Sequence, residues 1–204
     1  WWKIEGLKKC GIKDIIIVQS PRKDIEEKLK NYNLGTDIKY VVQPEPKGTG
    51  DDIWQARDLI KGPFVAADPR KVDISDYLLQ LLKKFEKIQN GVVLLGVKTD
   101  RPEDFGIIRF AGEKVLEIIE NPEKGKEPSN IKATETYVLP ADFIDYYKRV
   151  PTGEANLIDA INLLIKEKGA EVVLLKKNPI SLKYPWDLFP VLEYLLRNTK
   201  TKIY

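Results

Sequence analysis

Short apolar runs and amphipathic stretches alternate along the first half of this chain. Ile4, Leu7 and Cys10 share a helical stripe closed by Gly11, and Ile15-Ile16-Ile17-Val18 follows as a continuous apolar run. Such a run reads as a strand buried on both faces of a parallel sheet. Residues 22–32 form a charged helix with Ile25 and Leu29 on one face, predicted to be solvated. Lys39–Gln43 is the next strand, Asp51–Lys61 a helix, Phe64–Ala67 a strand, and Ile74–Ile88 a long helix striped by Leu78, Leu81, Leu82 and Phe85. Gly91–Lys98 completes this half as a strand. The alternation predicts an α/β fold with an open, mostly parallel, doubly wound sheet.

Beyond residue 100 the period changes. Gly106–Phe110 and Val115–Glu120, joined by the turn Ala111-Gly112-Glu113-Lys114, predict an antiparallel hairpin. A polar loop, 121–130, leads to a strand at Thr134–Leu139 and a helix at Ala141–Tyr147. Asn156–Lys168, stopped by Gly169, is a strong helix, followed by a strand at Glu171–Leu175 and a last helix at Leu188–Arg197 that Pro190 is expected to interrupt. The whole reads as a single domain, 1–204, of two lobes. Residues 1–100 are the doubly wound half and 101–204 carry the hairpin, with a cleft where they meet.

Composition removes several function classes. The 204 residues are 43% hydrophobic and 32% charged, and Lys+Arg 34 nearly balances Asp+Glu 31 at a net charge of +3. Interspersed charges of both signs argue against a nucleic-acid partner. No apolar run reaches a membrane span and no signal-peptide pattern opens the chain, so no membrane partner is expected. The lone Cys10 excludes an internal disulfide, reads as a small core residue, and suits a reducing, cytoplasmic setting. The chain has no histidine and no methionine and opens Trp1-Trp2-Lys3. Either it is a piece of something longer or its composition was chosen.

The candidate chemistry begins at Gln43-Pro44-Glu45-Pro46-Lys47-Gly48-Thr49-Gly50, a strand end, a glycine-bearing loop and a first helical turn. Free backbone N–H groups at a helix start attract acceptors, and glycine lets a ligand approach the backbone. Gln43, Gly48, Thr49 and Gly50 are therefore candidates for binding a nucleotide base. Trp54, on the helix after this loop, belongs either to the core or to the cleft rim. Asp51 reads as a first-turn acid complementing the helix dipole, and a metal cluster with Asp52, Asp68 and Asp73 is the alternative.

This loop resembles the base-recognition segment of the sugar-phosphate nucleotidyltransferases, and the likeness runs along nearly the whole chain. Glu5–Val18 is similar to that family's first helix and second strand, Arg101-Pro102-Glu103-Asp104-Phe105-Gly106 to the segment before its hairpin, and Glu120-Asn121-Pro122 to its Glu-Lys-Pro. Asn156-Leu157-Ile158-Asp159-Ala160 and Tyr184-Pro185-Trp186-Asp187-Leu188 continue the match, and 199–203 looks like the exit toward a β-helix domain that many relatives carry. The resemblance implies a Rossmann-like, GT-A type fold and transfer of a nucleotidyl group from a nucleoside triphosphate to a sugar 1-phosphate. It implies nucleotide or nucleotide-sugar partners, sugar contacts at Gly106 and Glu120, and a Mg²⁺ ion held in part by Asp68.

Departures from the pattern fall at ligand-facing positions. Nothing here matches the family's glycine-rich triphosphate loop with its preceding strand. Asn121 stands at the sugar-phosphate lysine, Ala133-Thr134-Glu135 at Asn-x-Gly, and Ser181 at the second metal aspartate. The expectation is a nucleotidyltransferase domain that binds nucleotide weakly through Gln43, Gly48 and Thr49 without turnover, with Mg²⁺ required for any activity that remains and otherwise no cofactor. The alternative is a non-catalytic, engineered scaffold on the same fold. A homo-oligomer is left open. Without a central first strand, Ile15–Val18 and Phe64–Ala67 are expected to pair directly, in the order Lys39–Gln43, Ile15–Val18, Phe64–Ala67, Gly91–Lys98.

Overall fold

The computed structural model describes residues 1–88, 90–151 and 156–199. Most of the predicted β-helix exit, 199–203, lies outside the described residues. The fold is α/β with open sheets. Eight strands are described: β1 (Asp14–Gln19), β2 (Asp37–Val42), β3 (Phe64–Ala67), β4 (Val92–Lys98), β5 (Gly106–Ala111), β6 (Lys114–Glu120), β7 (Ile131–Leu139) and β8 (Ala170–Leu175). The helices are α1 (Trp2–Lys9), α2 (Asp24–Leu29), α3 (Thr49–Ala56), α4 (Leu78–Ile88), α5 (Phe143–Tyr147), α6 (Asn156–Lys168) and α7 (Leu188–Asn198). Among the described residues no helix is long and apolar enough to cross a membrane.

The main sheet follows the order β6-β5-β7-β4-β8, with β3 against the second half of β7. Its apolar centre is β4, whose Val92–Val97 are buried because helices cover both faces. On one face α5 and α6 pack with Ile108, Ile118, Tyr137, Leu139, Phe143, Ile161 and Leu164. On the other, α4 packs Leu78 and Leu81 on Val93, Leu95 and Val138. β3, β4 and β8 run in one direction and β7 runs against both β3 and β4. The sheet is thus mixed. The parallel pairs are β1–β2 and β4–β8.

The expected strand order is corrected at two places. β7 lies between Phe64–Ala67 and Val92–Lys98, so these two strands are not neighbours. β1 pairs with β2 alone, as a separate two-stranded sheet, and does not meet β3. The helices explain the separation. α1 packs Ile4 and Leu7 on Ile15 while Gly6 rests against Ile74, and α3 packs on both β1 and β2 while its Ile53 sits in the main core. Consequently Ile16, Ile17 and Val18, and all of Phe64–Ala67, are only half-buried despite being apolar.

Smaller expectations resolve locally. Pro190 does not break the last helix, because it lies in the first turn of α7, where backbone N–H groups have no intrahelical acceptor. Cys10 is a buried thiol whose Sγ lies 3.9 Å from the Ser75 carbonyl. Trp54 stacks on Tyr147 at 5.9 Å between centroids, with the Arg57 guanidinium over its ring, and lines the edge of the main core. Trp1 meets Trp2 edge to face at 4.8 Å and remains 51% exposed.

Candidate functional site

Two groups of predicted residues occupy two different sheets. The first grows from the end of β2. Gln43 N donates to the Gln19 carbonyl at 2.9 Å, continuing the ladder for one residue and fixing where the Gln43 side chain begins. Its Nε2 donates to Asp51 Oδ2 at 2.8 Å and to the Gly48 carbonyl at 3.3 Å. Gln55 holds the other Asp51 oxygen at 3.1 Å, so the loop is clamped to α3 through one carboxylate. Gly48 has φ +86, a backbone angle that side-chain-bearing residues avoid, and its Cβ direction is open. Thr49 and Gly50 begin α3. Their N–H groups belong to the first turn, where no intrahelical acceptor exists.

Two acids share that turn. Burial, and then the neighbouring Asp51, raise the Asp52 carboxyl to about 6. A helix start carrying its own acids disfavours a phosphate and suits a neutral hydrogen-bonding group.

The second group converges on Glu135 in the middle of β7, where β3 ends. Gly106 and Glu120 face each other across the hairpin, and a Cβ on Gly106 would overlap the Glu120 carboxylate. Burial raises the Glu120 carboxyl, and Glu135 raises it further. Asp68 follows β3, and its N–H donates to the Glu135 carbonyl at 3.0 Å. Asp68 Oδ1 accepts from the Arg70 backbone N–H and from Arg70 Nε, each at 2.9 Å, and Oδ2 accepts from Nε at 3.1 Å. Arg70 Nη2 lies 3.4 Å and Lys71 Nζ 3.7 Å from Glu135 Oε2. Burial works to raise the Asp68 carboxyl, but the Arg70 hydrogen bonds outweigh it and hold it below the usual carboxylate range. Lys71 in turn bridges to Ser181, the position at which the family's second metal aspartate was expected.

Behind these groups lies Lys3, whose ammonium is lowered to about 8 by burial and by Lys71, against the pull of Asp68 and Asp73. Asp73 accepts from Ile180 N at 2.9 Å. The structure therefore brings Asp68, Gly106 and Glu120 together around Glu135. No hydrogen bond or ion pair among the described residues joins them to the Gln43–Gly50 loop.

Residue patterns did not reveal Arg70, Lys71 and Lys3 as members of this group. The Asp68-Pro69-Arg70 spacing was the available signal, since a residue two places on can fold back on its own aspartate. The predicted acids do not gather into a metal centre. Asp51 and Asp52 stand on α3, apart from Asp68 and Asp73, and no three described His, Cys, Asp or Glu side chains are placed to hold an ion. A Mg²⁺ site needs carboxylate oxygens free to face the ion. Both Asp68 oxygens are already engaged by the Arg70 cation, and Ser181 supplies no charge, so these residues do not fit that ion.

Residues 2–186 match the nucleotidyl transferase family. The chain belongs to that family. It is 30% identical over 203 residues to a bifunctional sugar-1-phosphate nucleotidylyltransferase/acetyltransferase of Sulfurisphaera tokodaii, covering 97% of this chain and 47% of that protein. It is 29% identical over 187 residues to the bifunctional protein GlmU of Methanococcus vannielii, covering 87% of this chain and 44% of the relative. The chain thus spans about half the length of these curated relatives. Among solved structures, UDP-glucose pyrophosphorylase complexed with UDP-glucose superposes at a TM-score of 0.81 with 18% identity, covering 97% of this chain and 86% of that one. UTP-bound UGPase from Acinetobacter baumannii superposes at 0.80 with 19% identity, covering 98% and 82%. At that identity the likeness establishes the fold.

Proposed function

We propose that this chain is a nucleotide-binding nucleotidyl transferase domain that takes a nucleoside triphosphate or nucleotide-sugar weakly and does not complete nucleotidyl transfer by itself. The observation that carries the reading is the clamped loop. Both Gln43 side-chain donors are directed onto Asp51 and Gly48, which leaves Gln43 Oε1 as an acceptor for an N–H on a base edge. The N–H groups of Thr49 and Gly50 offer donors beside it, and the open Cβ direction of Gly48 allows contact with the ring. Base binding in the half spanning 1–100 is thereby assigned to Gln43, Gly48, Thr49 and Gly50. In the half spanning 101–204, the missing side chain at Gly106 leaves room for the exposed Glu120 carboxylate, which suits a sugar hydroxyl.

Failure to turn over follows from what the second group lacks. Stabilising charge on a departing pyrophosphate requires cations aimed at it. Here Arg70 and Lys71 are directed onto Asp68 and Glu135. A second reading, a scaffold on this fold with no nucleotide affinity, is favoured by the same ion pairs at otherwise ligand-facing positions. The two readings separate by isothermal titration of the protein with UTP and with UDP-glucose. Saturable heat at micromolar to millimolar ligand, weakened about tenfold in Gln43→Ala, supports nucleotide binding. No heat at about 5 mM ligand, an affinity below roughly 3 kcal/mol, overturns it.

A further inference from the structure

We infer that Arg70 is the resident cation of this site: its guanidinium, seated on Asp68 and Glu135, excludes a divalent ion from the carboxylate pair and makes ligand binding independent of metal. This rests on reading the group around Glu135 as ligand-facing, and it concerns that group's cofactor.

The carboxylate pair is real and close. Asp68 and Glu135 both meet the one guanidinium of Arg70, at 2.9 and 3.4 Å, and as two anions with no cation between them they would repel. The Asp68 side chain is only 6% exposed, so water does little to neutralise it. Arg70 does so through the hydrogen bonds already described and reaches Glu135 with its other arm, while its own side chain stays 43% exposed. This is the work a bound ion performs at a pair of carboxylates. Lys71 adds a second contact to Glu135, and Lys3 sits in the field of Asp68 and Asp73. Three side-chain cations, Lys3, Arg70 and Lys71, thus face three carboxylates, Asp68, Asp73 and Glu135. Adding a divalent ion would place net positive charge in a half-buried group whose Asp68 oxygens are both already engaged by Arg70. Removal of Arg70 reverses the balance. The two carboxylates would then lie together beyond the end of β3 with no guanidinium between them, and two carboxylates plus waters are enough for a hard divalent ion.

The test titrates Mn²⁺, followed by its EPR signal, into the protein alone, without nucleotide. Its outcome is therefore separate from that of the nucleotide titration. Wild type is expected to leave Mn²⁺ free up to about 1 mM, the weak end of carboxylate-site affinities. Arg70→Gln is expected to bind at least about tenfold tighter, and the gain should vanish in the double variant Arg70→Gln/Asp68→Asn. Arg70→Ala serves as a second variant, with far-ultraviolet circular dichroism verifying the fold of each. Wild-type binding tighter than about 0.1 mM overturns the inference. Folded Arg70 variants that bind no better than wild type overturn it equally.

Discussion

The separation of β1–β2 from the main sheet predicts two units that open independently, and Leu94→Ala tests it. Leu94 is fully buried in β4, between helices on both faces, and belongs to the cluster that holds α5 and α6. Truncation removes three carbons, and the surrounding branched side chains cannot close the space, so the cost is about 3 kcal/mol. Every amide that exchanges only through opening of the main sheet should then speed up by about 10²-fold. The amides of Asp37–Val42 should not. Their opening detaches a two-stranded ladder and the small cluster of Ile4, Ile15 and Leu34, and leaves the site of the mutation intact in both the closed and the open form. Hydrogen exchange read by mass spectrometry on peptides covering 37–42 and 92–98 gives both rates in one experiment. Equal acceleration in the two peptides would mean that the sheets open only together, and the account of a held-apart second sheet would fail.

Three further outcomes follow from particular contacts. Gln43→Ala leaves Asp51 held by Gln55, so the fold stands, while loss of the base acceptor weakens UTP binding about tenfold in calorimetry. Asp52→Asn tests the raised carboxyl. A folded-state value of about 6 against an ordinary value of 3.8 means that the protonated acid stabilises the fold at low pH and that this contribution is lost as pH rises from about 4 to 6. The thermal midpoint of Asp52→Asn should therefore exceed that of wild type above pH 6 and match it near pH 4. Gly96→Ala would bring a Cβ to 2.9 Å from Ile131 and 3.0 Å from Leu174 and Val172, and overpacking there costs about 1–3 kcal/mol in urea unfolding.

Much of the fold was legible because burial writes itself into periodicity. The apolar run at Gly91–Lys98 forecast the strand β4, the stripe of Leu78, Leu81, Leu82 and Phe85 forecast α4, and Asn156–Lys168 forecast α6. The hairpin expected from Gly106–Phe110 and Val115–Glu120 forms, with Gly106 opposite Glu120 at its open end. Neighbour relations between strands were not legible. A free edge on β1 and a free edge on β3 present the same backbone groups whether or not the edges meet, and the helices that hold them apart act through side chains distant in sequence. The ion cluster escaped for a related reason. Arg70 folds back on Asp68 within the same turn, which local spacing permits, but Glu135 arrives on β7 from far along the chain. Its pairing depends on β7 lying beside β3 rather than beside β4 alone.

The claim that this domain holds nucleotide without transferring it is met most directly by a pyrophosphate-release assay. Purified protein would be incubated with saturating UTP, glucose 1-phosphate and Mg²⁺, with the same mixture lacking protein as reference. The account predicts release no faster than in the reference. Release above it that disappears in Asp68→Asn would contradict the account, since Asp68 could then not be confined to its partnership with Arg70.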